Sequence, residues 1–319
     1  MALPALFANR LAVPVVGAPM FIVSYPELVH AQCAAGVAGT FPTLNARSVE
    51  TLDEWLDQLT RGLADVAAAN PGRPVAPFGV NLVMHKTNSR LAEDLALVER
   101  YKVPLVITSV GQPTDVVERV HAYGGVVFHD VTNVKHAKKA AEAGVDGLIL
   151  VAAGAGGHAG TISPFALLPE VRDWFSGTLL LAGALSSGRA IRAAQVLGAD
   201  LAYLGTRFIA TREAHAVDDY KQMIVDSTAA DLVYTSAFSG VPANYMRASI
   251  AANGLDPDNI QPKPAGAPPD LLGTNSGNGP KPWKDLWSAG QGIGQIKDVP
   301  DVATVVARLA AEYRAALAA

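Results

Sequence analysis

Four short stretches of this 319-residue chain combine residue types that could do chemistry. The first is Gly154-Ala-Gly-Gly-His158-Ala-Gly160, a single histidine framed by glycines. Glycine lets backbone approach a ligand closely, and histidine can exchange a proton near neutral pH. A flexible loop with a bystander histidine has the same composition. The second is a pair of turns, Ala182-Gly183-Ala184-Leu185-Ser186-Ser187-Gly188 and Leu204-Gly205-Thr206-Arg207, whose backbone N–H groups could hold phosphate. The third, Pro77-Phe78-Gly79-Val80-Asn81, ends an apolar run on an amide that can both donate and accept. In the fourth, Gly17-Ala18-Pro19-Met20, small residues leave room for a flat ring, although on this stretch alone a plain βα turn is the favoured reading.

The remaining candidates are weaker. His129 and Asp130 end an apolar run and could face the same site, and His85 on a loop could reach it. His30 and His136 fall on helices and His121 near a helix end, where packing or surface roles are the usual ones. The segment Ser239-Gly240-Val241-Pro242-Ala243-Asn244-Tyr245 could be a lid with Asn244 and Tyr245 near a ligand, or a surface turn. No metal-spaced His/Cys/Asp cluster, Walker loop or G-x-S-x-G elbow is present, which argues against a metal or nucleophilic hydrolase.

These residues need elements to position them. Short apolar runs at Val13–Val16, Val37–Phe41, Ala76–Leu82, Leu105–Thr108, Val126–His129, Gly147–Val151, Thr178–Ala182 and Leu201–Leu204 read as eight strands. Between them lie helical stretches at Pro26–Ala35, Val49–Ala69, Ser89–Tyr101, Pro113–Tyr123, Val134–Ala143, Pro164–Phe175 and Gly188–Leu197. Strands this apolar are buried on both faces, as in a parallel sheet. Eight alternations point to an α/β fold of the (β/α)8 TIM barrel type rather than an open sheet, with its site at the C-terminal ends of the strands. A plain barrel needs about 250 residues. The surplus falls at Glu213–Ser288, which breaks the rhythm and includes a Pro/Gly/Asn-rich stretch from Gly254 to Pro282. The expected organisation is a barrel over 1–212, an inserted lid domain over 213–288, and a return over 289–319 through an eighth helix, Val299–Ala318.

Composition agrees. Half the residues are hydrophobic and 17% are charged, below the ~25% of an ordinary domain, so a large core is available. A net charge of −4 argues against nucleic acid or anionic membrane as partner. The single cysteine, Cys33, excludes an intrachain disulfide and reads as a buried, inert thiol. With neither a signal-peptide pattern in Met1–Arg10 nor a membrane span, the expectation is a cytoplasmic protein.

In order and spacing, the motifs resemble the nitronate monooxygenase family, formerly called 2-nitropropane dioxygenases. They are Gly17-Ala-Pro-Met20, Pro77-Phe-Gly-Val-Asn81, Ala155-Gly-Gly-His-Ala-Gly160, Gly205-Thr-Arg-Phe-Ile-Ala-Thr-Arg-Glu213 and Trp287-Ser-Ala-Gly-Gln-Gly-Ile-Gly294. Similar motifs occur in flavin-dependent NADH:quinone reductases and enoyl-acyl-carrier-protein reductases. The resemblance implies an FMN-dependent oxidoreductase that oxidises nitronates or nitroalkanes with oxygen to a carbonyl compound and nitrite, or else an NAD(P)H-dependent reductase. It implies a small-molecule substrate and His158 as the catalytic histidine. FMN phosphate would be held by Gly183, Ala184, Leu204, Gly205 and Thr206, the flavin ring met by Met20 and Asn81, and the cofactor contacted also by Ala18 and Gly157. Trp287, Ser288, Gly290 and Gln291 would close over it. Three positions depart from the family pattern: Ala184 replaces a second glycine, Tyr203 a glutamine, and Gly154 an acidic residue.

Overall fold

A computed structural model describes residues 3–261, 263, 270 and 279–318. Its strands are β1 (Val15–Gly17), β2 (Thr40–Pro42), β3 (Gly79–Val83), β4 (Leu105–Ser109), β5 (Val126–Val131), β6 (Gly147–Val151), β7 (Gly157–His158), β8 (Thr178–Ala182), β9 (Leu201–Leu204), β10 (Leu232–Thr235) and β11 (Ala243–Met246). The helices are α1 (Pro26–Ala35), α2 (Val49–Ala69), α3 (Leu91–Arg100), α4 (Thr114–His121), α5 (Val134–Glu142), α6 (Pro164–Arg172), α7 (Gly188–Leu197), α8 (Thr206–Ile209), α9 (Asp218–Asp226), α10 (Arg247–Ala252) and α11 (Val302–Ala318).

Eight strands form one parallel sheet in the order β1-β9-β8-β6-β5-β4-β3-β2. A bridge between Val16 and Ala38 brings its two ends together, with Gly17 N–H donating to the Ala38 carbonyl at 2.8 Å. The result is a TIM barrel. Alternation along each strand divides the core in two. Val16, Leu105, Ile107, Phe128, Ile149, Leu180, Leu201 and Tyr203 pack inside the barrel, around Phe7 from the N-terminal segment. Val80, Val106, Val127, Leu148 and Leu179 face the helices instead.

Helix α2 shows why the helices sit as they do. Leu52, Leu56, Leu59 and Leu63 recur at helical spacing and are all buried, and the Ser48 hydroxyl caps the first turn by accepting from Thr51 N–H. Helix α11 closes the helical ring between α7 and α1, burying Val302, Val305, Val306 and Leu309. Its approach to α7 is so close that a Cβ on Gly188 would lie 2.4 Å from the Leu309 carbonyl oxygen. The first two strands begin two to three residues later than their apolar runs, because Val13 and Val37 pack outside the ladder.

Residues 213–288 supply α9, β10, β11 and α10, with much of the Gly254–Pro282 stretch outside the described residues. Their strands pair with β7 in a three-stranded antiparallel sheet, β10-β11-β7. The histidine-bearing segment is therefore a strand edge, Ala243 standing opposite His158 and Asn244 opposite Gly157. Two residues carry no periodicity, so β7 leaves no strand signal in the sequence. Among the described residues no helix is long and apolar enough to cross a membrane. Cys33 is fully buried, and burial pushes its thiol up to about 12, so it is inert.

Candidate active site at the barrel mouth

The C-terminal ends of the strands surround a cavity of about 890 Å³. Its wall includes Ala18 and Met20 after β1, Asn81 on β3, Asp130 on β5, Gly157 and His158 on β7, and Tyr203 on β9. Gly183 and Ala184 after β8, Gly205 and Thr206 after β9, and Ser288 and Gly290 line it as well. Leu204, Trp287 and Gln291 are not part of this lining. Leu204 is buried in the outer core, while Trp287 stacks on Tyr220 at 5.0 Å and so backs a wall residue. Gln291 instead ties the backbone, its N–H donating to the Gly154 carbonyl at 2.8 Å.

That carbonyl is a junction, since Ala184 N–H also donates to it at 3.2 Å. The loop after β6, the turn after β8 and the 288–292 segment are thereby locked together. Close packing there requires glycine: a Cβ on Gly290 would lie 2.8 Å from the Gly154 oxygen and 3.0 Å from the Gly156 nitrogen. Gly290 N–H donates to Thr206 Oγ1 at 2.9 Å, and Gly157 N–H to Ser288 Oγ at 2.6 Å. Ala184 thus brings no free donor to the cavity, contrary to the sequence expectation. It also holds φ at +56°, a left-handed conformation that disfavours a Cβ. Ala184→Gly should therefore stabilise the fold by about 1 kcal/mol, read as a higher denaturant midpoint at unchanged slope; no rise would show that the strain is already relaxed.

His158 is held on both sides. Its Nε2 lies 2.9 Å from Ser239 Oγ, and its ring meets the edge of Trp283 at 5.0 Å, nearly perpendicular. The Ser239 hydroxyl donates its one proton to the Val241 carbonyl at 2.9 Å, so it must accept from His158 Nε2–H. That assigns the tautomer and leaves Nδ1 with the lone pair. Burial pulls the imidazole down to about 4, so the ring is neutral at pH 7.

Asn81 also differs from expectation. Its Nδ2 donates to the Ile107 carbonyl at 3.3 Å and to Ser109 Oγ at 3.2 Å. Its donor capacity is spent, and the amide oxygen is what it can offer a ligand. In the lid segment, Asn244 Nδ2 donates to the Ala155 carbonyl and Tyr245 is fully buried against Trp283. Val241 lines the cavity instead of either.

Sequence reasoning missed Trp283 and Tyr220, and it placed Ser239 in a candidate lid without seeing its contact to His158. None sits in a chemical motif, and an aromatic or serine in an irregular segment carries no signal of its own. His129 and His136 both line the cavity, while His85 does not. His129 Nδ1 bonds Thr108 Oγ1 at 2.8 Å, and burial pulls this ring down to about 4. His121 pairs with Asp146 on the exposed surface. Among the described residues no group of three or more His, Cys, Asp or Glu could hold a metal.

A family model described as nitronate monooxygenase matches residues 6–312. A nitronate monooxygenase of Paraburkholderia phytofirmans is 27% identical over 295 residues, covering 78% of this chain and 77% of that one. An octahydro-indene-carboxyl-CoA dehydrogenase of Mycobacterium tuberculosis is 29% identical over 240 residues, covering 74% and 64%. The matches to three of the curated relatives span 45%, 64% and 65% of their length. Among solved structures, FabK from Thermotoga maritima superposes with a TM-score of 0.77 at 21% identity, over 100% of this chain and 98% of that one; at that identity the likeness speaks for the fold.

Proposed function

This chain belongs to the nitronate monooxygenase family, a family of oxidoreductases, and on that premise we propose that it oxidises alkyl nitronates and nitroalkanes with oxygen and bound FMN, yielding a carbonyl compound and nitrite. The observation that carries this reading is His158, a neutral imidazole with a fixed tautomer on the wall of a large cavity. A nitro group acidifies the adjacent C–H, and a buried neutral base of this kind can remove that proton.

The residues present fit FMN. Gly205 leaves open a cradle in which a Cβ would stand 3.5 Å from Met20 Sδ and 3.6 Å from Ala18 Cβ. Two wall atoms, Asp130 Oδ1 and Tyr203 Oη, are buried without a hydrogen-bond partner and await a polar ligand. Gly183, Gly205 and Thr206 would hold the phosphate, and Ala18, Met20, Asn81 and Gly157 the ring. Bound FMN supplies the electron transfer to oxygen.

The chain does the rest. His158 Nδ1 takes the α-proton, and the imidazolium so formed stabilises the nitronate charge beside it. Ser239 keeps Nε2 protonated throughout, so the lone pair stays on Nδ1. Trp283 beside His158, and Tyr220 backed by Trp287, exclude water. We assign the segment 213–288, which contributes Ser239, Val241 and Tyr220 here, the role of lid.

The test is oxygen uptake with 2-nitropropane and with its preformed nitronate, with nitrite assayed in parallel, preceded by anaerobic mixing with NADH or NADPH. A yellow protein that consumes oxygen, releases nitrite and is not bleached by nicotinamide supports the reading. Rapid bleaching without nitroalkane turnover would replace it with a reductase. For Ser239→Ala, loss of one hydrogen bond to the histidine should lower kcat/KM on neutral 2-nitropropane about tenfold, with a smaller loss on nitronate; equal losses on both would remove the tautomer role.

A further inference from the structure

Asp130 and Tyr203 stand on different strands yet share a fate. On β5 the inward alternation runs Val126, Phe128, Asp130, and on β9 it runs Leu201, Tyr203. The inner face of each strand thus ends in a polar group at the cavity wall. Tyr203 is 7% exposed, and neither its hydroxyl nor Asp130 Oδ1 has a hydrogen-bond partner. On the same cavity wall, Asn81 Nδ2 donates to Ser109 Oγ. Among the described residues no Lys, Arg or His forms an ion pair with Asp130. Asp130 as a residue is half-buried, but its Oδ1 is buried and unpaired, which is costly for a charged carboxylate, so the site favours either a ligand partner or a proton on the acid.

We propose that Asp130, assisted by Tyr203, is a second proton-holding group of this site, and that its carboxyl takes up a proton when negative charge is placed on a cofactor bound in the cavity. The proposal rests on the flavin reading above. Were FMN bound here and given an electron pair by an external reductant such as dithionite together with a single proton, it would carry a negative charge. Asp130 then gains a further proton from water, an O–H bond forming on the carboxylate, so total proton uptake rises by one. Tyr203 O–H can donate to the same ligand edge in either state.

The electrostatics support that direction. Burial pushes the Asp130 carboxyl up to about 7, and Tyr203 is pushed well above its usual range by burial and by the charge of Asp130. The other titratable side chains on the cavity wall are His129, His136, Lys139, His158 and Tyr220. Both His129 and His158 are held near 4 by burial, and Tyr220 donates to the Ser288 carbonyl. His136 and Lys139 are exposed on α5. Of His129, His158 and Asp130, burial places Asp130 alone near neutral pH.

The midpoint potential of the bound flavin, measured from about pH 6 to about pH 9, tests this. In the wild type its slope should steepen above about pH 7, from a single proton per electron pair to double that. In Asp130→Asn the slope should correspond to a single proton throughout, while Tyr203→Phe should retain the break because the carboxyl is what titrates. A break that persists in Asp130→Asn, or a wild type without one, would overturn the proposal. Should Asp130→Asn fail to fold, the reduced-minus-oxidised infrared difference spectrum of the wild type near pH 8 decides instead. A new protonated-carboxyl band that shifts in Asp130→Glu supports the proposal, and its absence overturns it. A protein that binds no flavin would sink the flavin reading, whereas a yellow protein with an unbroken slope sinks this inference alone.

Discussion

His158→Asn should lower kcat/KM for neutral 2-nitropropane by about 10²–10⁴-fold, the usual worth of a positioned general base, while the protein stays yellow. Asparagine has similar bulk and leaves the β7–β11 pairing intact, so the flavin contacts should survive. It has no nitrogen lone pair able to take a proton, and that is the single function removed. Preformed nitronate has already lost its α-proton, so its oxidation should fall much less. The ratio of the two losses, measured by oxygen uptake, isolates the base step from everything else the histidine does. Because burial holds the imidazole near 4, the wild-type base form persists across neutral pH, and the acid limb of kcat/KM should lie near that value. Full retention of activity on 2-nitropropane in the variant would end the base assignment.

The second large effect concerns backbone rather than chemistry. Gly290→Val places a branched side chain where even a Cβ would stand 2.8 Å from the Gly154 carbonyl and 3.0 Å from the Gly156 nitrogen. Both obstacles are main chain, so neither can rotate away. Relief requires the 288–292 segment to lift. Lifting strains the Gly290–Thr206 and Gly157–Ser288 bonds and both bonds to the Gly154 carbonyl. The expected result is a loss of about 1–3 kcal/mol in stability, as for overpacking elsewhere, with FMN bound at least about tenfold more weakly. Titration of the apoprotein with FMN by quenching of flavin fluorescence measures the affinity. An unchanged Kd would mean that this segment does not shape the cofactor site.

Much of the fold was legible in the sequence because buried parallel strands are written as uninterrupted apolar runs. Leu148 to Leu150 and Leu179 to Leu181 need no partner to be recognised. Helices such as α2 announce themselves through a spaced leucine stripe and a serine cap. The glycine turns at 183 and 205, and the histidine among glycines at 158, were equally visible, since each is a local signal.

Less legible was what each of these residues is free to do. Asn81 reads as a donor and acceptor, but Ile107 and Ser109 consume its donors. Ala184 reads as a backbone donor, but Gly154 has claimed its N–H. In each case the competitor comes from another strand or loop, and local sequence holds no record of it.

By itself, then, the sequence determined the eight-fold alternation, the buried strands and the placement of chemical residues at strand ends, because those properties depend on residues within one turn or one strand of each other. Only the tertiary structure decided which nitrogen of His158 carries the proton, through a serine 81 residues away. It also brought Gly290 against Gly154 and left Asp130 Oδ1 and Tyr203 Oη without hydrogen-bond partners on one cavity wall. Barrel closure sets those encounters, by bringing strand ends distant in the chain to one rim, and the resulting long-range contacts have no period for a sequence to display.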